Sequence, residues 1–296
     1  MAKAKAIIKR RKAVINTRKI TKTMELVSTA KYQKVFLRVQ NARPYRDTLQ
    51  EVMRDLAQAG GSIEHPLLVR RQPVAHSTVL LLTSNRGLAG GFNSNLIKLA
   101  RHEVEAQRQA GAEVALHVSG KKGITFFKYM GMPMAGAYTH FGDNPQFTDV
   151  EKLADEFMAA YTAGRTDRVA VCYQKYHSAG VQRPHLDVLL PLEPETPPPS
   201  PTAGRAAAQA QIDYIYSPDA KSLLAHLLPA YVKMVLYHLF LETVVGEQRA
   251  RMVAMKNATD NADTMIKTLT RMYNRARQSQ ITNEISEIMG GVEALK

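Results

Sequence analysis

The chain has 296 residues, with 40 Lys+Arg against 26 Asp+Glu for a formal net charge of +14, and 45% of it is hydrophobic. A chain of this length and composition buries a full core and is not disordered as a whole. Its single cysteine, Cys172, excludes an intramolecular disulfide and a Cys-rich zinc site and fits a reducing compartment, and no unbroken run of 18 apolar residues is present to span a membrane.

The charge is concentrated at the start. Residues 1–60 hold 15 Lys+Arg and 4 Asp+Glu, so +11 of the +14 lies in about a fifth of the chain. Nucleic acid, an anionic membrane and an acidic protein surface are the three partners that such a block fits. A secretory signal is excluded because no apolar core follows the charges. A mitochondrial presequence shares the Arg-rich, acid-poor composition, but the segment runs into a helical pattern without a break.

That pattern predicts one long helix from about Ala4 to Ala59. Ala13, Thr17, Ile20, Met24 and Val27 step by four and three, a coiled-coil-like seam. No glycine precedes Gly60, and the only proline, Pro44, should kink the helix or end it early. A helix of roughly 40–55 residues is about 60–80 Å long and needs a partner alongside.

The middle alternates between strand and helix signals. Strands are expected at Thr78–Thr83, Glu113–Val118, Arg168–Tyr173, His185–Leu190 and Gln211–Tyr216. Helices are expected near Ser94–Ala110, Lys121–Met130 and Val150–Ala163. This is an α/β domain of Rossmann-like type with a largely parallel sheet. The proline-rich stretch Pro191–Ala210 reads as an exposed, mostly disordered loop.

After Pro218, helix formers continue to the end, with Pro229 as a kink or restart. Met255, Ala258, Ala262, Met265, Leu269, Met272 and Ala276 form one heptad seam. After a five-residue step the seam resumes at Ile281, Ile285, Ile288, Val292 and Leu295, rotated around the helix. The two terminal helices are therefore expected to form a long antiparallel coiled coil with the α/β domain inserted between them. The expected divisions are 1–60, 61–217 and 218–296. The plainer alternative is that both helices pack on a globular core.

The motifs for chemistry fail. Gly87-Leu88-Ala89-Gly90-Gly91 follows a strand and precedes a helix, but Ala89 stands where a dinucleotide fingerprint needs its second glycine. Gly120-Lys121 lacks the first glycine of a phosphate-binding loop, since Ala115 is there, and Lys122 replaces its Ser/Thr. Gly87, Gly90 and Gly91 read as a structural glycine loop. Cys172 reads as a small buried residue. The histidines have no metal-ligand spacing, and no nucleophile elbow is present. On charge alone a basic coiled-coil nucleic-acid binder remains the rival reading, though no known nucleic-acid motif occurs.

Three stretches carry a family resemblance. Asn16-Thr17-Arg18-Lys19-Ile20-Thr21-Lys22-Thr23-Met24-Glu25-Leu26-Val27-Ser28-Thr29-Ala30-Lys31 resembles the N-terminal signature of the gamma subunits of F-type ATP synthases. Residues Ser84 to Asn93 resemble that family's glycine loop, and Glu247 to Ala262 with Tyr273 to Ile288 resemble its C-terminal signature. The resemblance spans essentially the whole chain in family order. It implies a non-catalytic central rotor shaft with no cofactor. Its terminal helices would stand inside a ring of three alpha and three beta subunits, and its α/β domain beside the epsilon subunit and the c-ring. Proton flow through the c-ring would turn it and drive the beta sites through their states.

The resemblance also implies site roles. Arg277, Gln278, Thr282 and Glu284 match positions where the C-terminal helix meets the catalytic ring. Met24, Arg251 and the basic turn Arg18-Lys19-Lys22 match a coupling region facing an acidic loop of beta. Ala89 stands where many relatives have cysteine, and the regulatory cysteine pair of chloroplast forms is missing, so disulfide control is not expected. No nucleic-acid partner is expected, membrane association is only through the complex, and the compact N-terminus favours a bacterial protein on the cytoplasmic side of the plasma membrane.

Overall fold

The structure is a computed structural model, and it describes residues 2–59, 65–176, 182–192 and 220–294. In chain order the elements are α1 (Ala2–Ala59), β1 (His76–Leu82), α2 (Phe92–Gln109), β2 (Glu113–Ser119), α3 (Lys121–Tyr129), β3 (Gly136–Tyr138), α4 (Phe147–Thr162), β4 (Arg168–Tyr176), β5 (Gln182–Leu190) and α5 (Ala220–Ala294). The expected strand at Gln211–Tyr216 and most of the proline-rich loop lie outside the described residues. Strand β3 was not expected from the sequence, because three residues are too few to show alternation.

Neither internal proline ends its helix. α1 runs unbroken through Pro44 and α5 through Pro229. Each proline removes one backbone donor, but buried Val39 and Leu49 flank Pro44, and buried Leu228 and Val232 flank Pro229, anchoring each helix around its missing bond. Helix α5 contains a stretch that could cross a membrane by length and composition alone, and over half of that stretch is buried within the protein.

The chain divides into two compact units, and both long helices contribute to each. One comprises Met1–Lys31, Leu88–Gly90 and Gln248–Lys296, and the other comprises Tyr32–Gly87 and Gly91–Glu247.

The larger unit is built on a five-stranded sheet of order β3-β2-β1-β4-β5. β1 pairs in parallel with β2 and β4, and β2 with β3, while β5 is antiparallel to β4. The parallel strands are continuous apolar runs, as expected of a sheet covered on both faces. Leu80, Leu82, Val169, Val171 and Tyr173 pack against Val150, Leu153, Phe157 and Tyr161 of α4 and Leu228, Val232, Leu236 and Phe240 of α5. The alternate residues Val79, Leu81, Ala170 and Cys172 point to the opposite face, where α2 contacts the three central strands and the edge strand β5. Val35 and Val39 of α1 pack on Leu241, Val244 and Val245 of α5 in a second cluster of the same unit.

Asp167 ties the start of the sheet together. Its Oδ2 accepts the backbone N–H groups of Ala75 and His76 at 3.0 and 2.9 Å, and Arg71 lies 3.6 Å from its other oxygen. Burial alone would raise its pKa, but the two N–H bonds and the Arg71 charge outweigh that and hold it below the ordinary carboxylate value. A depressed folded pKa means that its stabilising contribution is present above the unfolded value near 3.8 and is lost as pH falls through the folded one. Asp167→Asn is therefore expected to flatten the acid limb of the stability profile below about pH 4, read by urea unfolding across pH. An unchanged acid limb would assign that pH dependence to other carboxylates.

Candidate functional site

The smaller unit is a pair of helices whose contacts fix their direction. Arg11 lies over the ring of Tyr273, Arg18 Nε donates to Asp263 Oδ1 at 2.5 Å, and the hydroxyls of Thr21 and Thr259 are 2.8 Å apart. Residue numbers rise on α1 as they fall on α5, so the pair is antiparallel, as expected.

The seam itself differs from the expected one. On α1 one covered heptad stripe is Ile7, Arg11, Val14, Arg18, Thr21, Glu25 and Ser28, with Ile15, Met24 and Thr29 half-buried beside it. Its residues keep the heptad steps of four and three but sit one position on from the expected Ala13, Thr17, Ile20, Met24 and Val27. One residue is about 100° of rotation on an α-helix. Ile20 is accordingly 61% exposed and Val27 50% exposed, and only Met24 of that stripe is half-buried. On α5 the expected Met255, Ala262 and Leu269 are buried and Ala258 and Ala276 are half-buried, with Thr259, Ile266 and Tyr273 covered beside them. Met265 and Met272 face out. The difference has one cause: apolarity picks out the expected stripe, whereas the seam of α1 mixes Ile7 and Val14 with Arg11, Arg18, Thr21, Glu25 and Ser28.

Facing positions have numbers that add to about 280, as Thr21 with Thr259 does. Helix α1 therefore runs out opposite about residue 280 of α5. Beyond it Ile281, Ile285, Ile288 and Val292 are all exposed. This is the expected second seam, left without a helix partner within the unit over roughly 20 Å at 1.5 Å per residue.

The residues singled out by sequence fall into two groups. Arg18, Lys19, Lys22 and Met24 stand on α1, and Arg251 lies on the part of α5 that faces them. Lys22 Nζ is 3.1 Å from Glu25, and Lys19 is exposed. Arg251 is buried in the structure of the chain. Arg277, Gln278, Thr282 and Glu284 are all exposed, near and beyond the end of α1. Thr282 donates to the Gln278 carbonyl at 3.0 Å, and Gln280 donates to Glu284 at 2.8 Å. Arg251 and Arg277 are about 40 Å apart along α5 at 1.5 Å per residue.

The glycine loop is a fastener. Ser84 N–H donates to Asn93 Oδ1 at 3.0 Å, and Asn93 Nδ2 donates back to Ser84 Oγ at 2.8 Å. Gly90 has φ +56, and a Cβ there would meet Ala254 at 3.9 Å. Gly87 and Gly91 approach the side chains of Lys122 and Asn95 closely. The N-terminus of α3, where a phosphate would sit in a nucleotide-binding fold, is already occupied. Lys121 N–H donates to Asn85 Oδ1 at 3.0 Å, Lys122 N–H to Ser84 O at 3.1 Å and Gly123 N–H to Thr83 Oγ1 at 3.1 Å. The carboxyl ends of β1 and β2, the usual ligand crevice of such sheets, are closed by Phe240, Thr243, Val244 and Glu247. The cavity left is about 20 Å³, room for about one water. Thr83 was not singled out from sequence, and Asn85 and Gly120 were read there only as parts of the glycine loop and of a failed phosphate-binding loop. Their signal was the Ser-Asn following β1 together with a glycine opening α3.

Burial pushes the Cys172 thiol up to about 12, so it carries no thiolate at neutral pH. Among the described residues no group of three His, Cys, Asp or Glu side chains could hold a metal.

Two long helices paired antiparallel, an α/β sheet whose ligand crevice is lined by its own helix, and surfaces that are apolar and exposed are features of a subunit built for protein contact. The comparisons agree. The family model for ATP synthase matches residues 3–295. The ATP synthase gamma chain of Rhodopirellula baltica is 42% identical over 296 residues, and that of Stenotrophomonas maltophilia strain K279a 40% over 295, each covering 100% of both chains. Chains from Euglena gracilis mitochondrial ATP synthase share the fold. A rotor chain has a TM-score of 0.62 at 16% identity, covering 95% of this chain and 99% of its own. A chain in the assembly of OSCP, F1 and c-ring has 0.66 at 18%, covering 99% and 95%. The chain belongs to the ATP synthase gamma chain family. The nucleic-acid reading of the charge has no support.

Proposed function

We propose that this chain is the shaft that couples proton flow through a c-ring to the cycling of three beta sites, within a ring of three alpha and three beta subunits and beside epsilon, on the cytoplasmic side of a bacterial plasma membrane. The observation that carries this reading is the pair of uncovered apolar stripes, Ile20 and Val27 on α1 and Ile281 to Val292 on α5. Apolar stripes of this length on a soluble unit mark a protein interface. The basic residues beside them, Lys19 and Lys22, fit acidic protein loops. A rotating shaft also has to be asymmetric, because the ring responds to angle only if each angle has its own interaction energy. The mixed seam and the two differently placed stripes supply that asymmetry.

Co-expression with alpha and beta subunits, followed by co-purification and ATPase assay, tests the reading. An ATP-hydrolysing complex containing the chain is expected, and failure to assemble would sink the assignment. Met24→Lys adds a cation beside the exposed stripe, next to Lys22. Assembly and hydrolysis are expected to persist, with fewer protons pumped per ATP in reconstituted vesicles. Equal pumping per ATP in mutant and wild type would remove Met24 from the coupling region.

A further inference from the structure

The helix pair is joined by contacts that an apolar coiled coil does without. Thr21 is 8% and Thr259 5% exposed, and their hydroxyls meet across the seam at 2.8 Å. Each hydroxyl also reaches a carbonyl of its own helix, Arg18 O at 3.1 Å and Met255 O at 2.9 Å. The two hydroxyls have two protons between them. One therefore donates across the seam while the other donates back into its helix, a relay of two bonds that needs this alignment. About one turn along, Arg18 Nε donates to Asp263 at 2.5 Å. Another two turns along, Arg11 covers the Tyr273 ring at 5.8 Å. The three layers are chemically different from one another. The rest of the α5 seam is not selective: Met255, Ala262, Ile266 and Leu269 would pack acceptably after a slide of one heptad. Such a slide would set Thr21 against Met252 or Ile266 and separate Arg18 from Asp263.

We propose that the Thr21–Thr259 hydroxyl pair, with the Arg18–Asp263 bridge beside it, is a register lock that resists sliding of α1 along α5. Winding or unwinding a two-stranded rope makes its strands slip past each other, so a lock against slip is also a source of torsional stiffness. That mechanical consequence rests on the shaft reading, but the register claim does not. Polar seam residues fix register in coiled coils at some cost in stability.

The full chain provides the test, because its one native cysteine, Cys172, is fully buried. The double substitution V14C/I266C, one heptad from Thr21 and Thr259, reports the present register by oxidative cross-linking. The pair I7C/I266C reports a register shifted by one heptad. In the T21V/T259V background the ratio of shifted to present cross-link is expected to rise about tenfold, the scale of losing one buried hydrogen-bonded layer. T21S/T259S, which keeps both hydroxyls, is expected to leave the ratio unchanged. The thermal midpoint of T21V/T259V should hold or rise, since valine has threonine's shape without the hydroxyl. An unchanged ratio in T21V/T259V, or the same rise in T21S/T259S, overturns the proposal. Should T21V/T259V not fold, D263N is read the same way, and an unchanged ratio there overturns it equally. Failure of the chain to assemble with alpha and beta would sink the shaft reading while leaving these ratios as they are.

Discussion

Replacing Gly120 by alanine is expected to lower the unfolding free energy of the α/β unit by about 3–5 kcal/mol. Gly120 has φ +100, a conformation L side chains rarely adopt, and a Cβ there would stand 2.2 Å from the carbonyl oxygen of Thr83 and 2.6 Å from its hydroxyl. Strain of this kind costs about 1–3 kcal/mol, and overpacking against backbone costs about as much again. The displaced residue is also the wrong one to move. Thr83 Oγ1 donates to Ser119 O at 2.7 Å and accepts Gly123 N–H at 3.1 Å, so shifting it uncouples β1 from β2 and from the start of α3. Urea unfolding of Gly120→Ala beside Gly111→Ala separates the terms. Gly111 has φ +88 but nothing within 4 Å of the added methyl, so it carries strain alone, about 1–2 kcal/mol. Equal losses at the two positions would show that the approach to Thr83 contributes nothing.

The α/β elements were legible because each is a local pattern. The apolar run of β1 and the amphipathic α2 and α4 are each fixed by neighbours in sequence. The exceptions follow the same logic. β3 is too short to show a period, and α1 continues through Pro44 because burial on either side holds a helix that local chemistry alone would interrupt. The coiled coil was legible as a heptad and as an antiparallel pair, but not in register. Ile20 and Val27 form the more apolar stripe of α1, yet Arg18, Thr21, Glu25 and Ser28 face α5. An apolar stripe says that something covers it. It does not say whether the cover is the same chain or another. The chain leaves Ile20 and Val27 on the outside of α1 and places hydroxyls and an ion pair on the inside beside Ile7 and Val14, so the sequence rule that polar means exposed fails at the very residues that set the seam. Arg251 fails it too. It looks like a surface cation and is buried.

Arg277 obeys the rule, and that makes it the sharper functional probe. It is exposed on α5 close to where α1 runs out, so the fold of the isolated chain does not depend on it. Arg277→Ala is expected to change unfolding stability by no more than about 0.5 kcal/mol, as surface substitutions do. In the assembled complex the expected loss is much larger. A guanidinium facing a carboxylate of the ring makes paired charge-assisted hydrogen bonds worth about 1.5–3 kcal/mol. If they form only at the angle where the catalytic site closes, that energy appears in the rate and not in binding. It corresponds to a fall in ATPase turnover of about ten- to a hundredfold. Gln278→Ala removes only neutral bonds and should cost severalfold less. Arg277→Lys should recover little, since an ammonium cannot hold a carboxylate bidentately. The measurement is steady-state ATPase per mole of purified complex, with subunit stoichiometry determined on the same sample. Complexes that form in normal yield and turn over slowly confirm the arrangement. Poor yield with normal turnover in what does assemble would instead make Arg277 an assembly contact, and the ring would then sense the angle of the shaft through the apolar stripe of Ile281, Ile285, Ile288 and Val292.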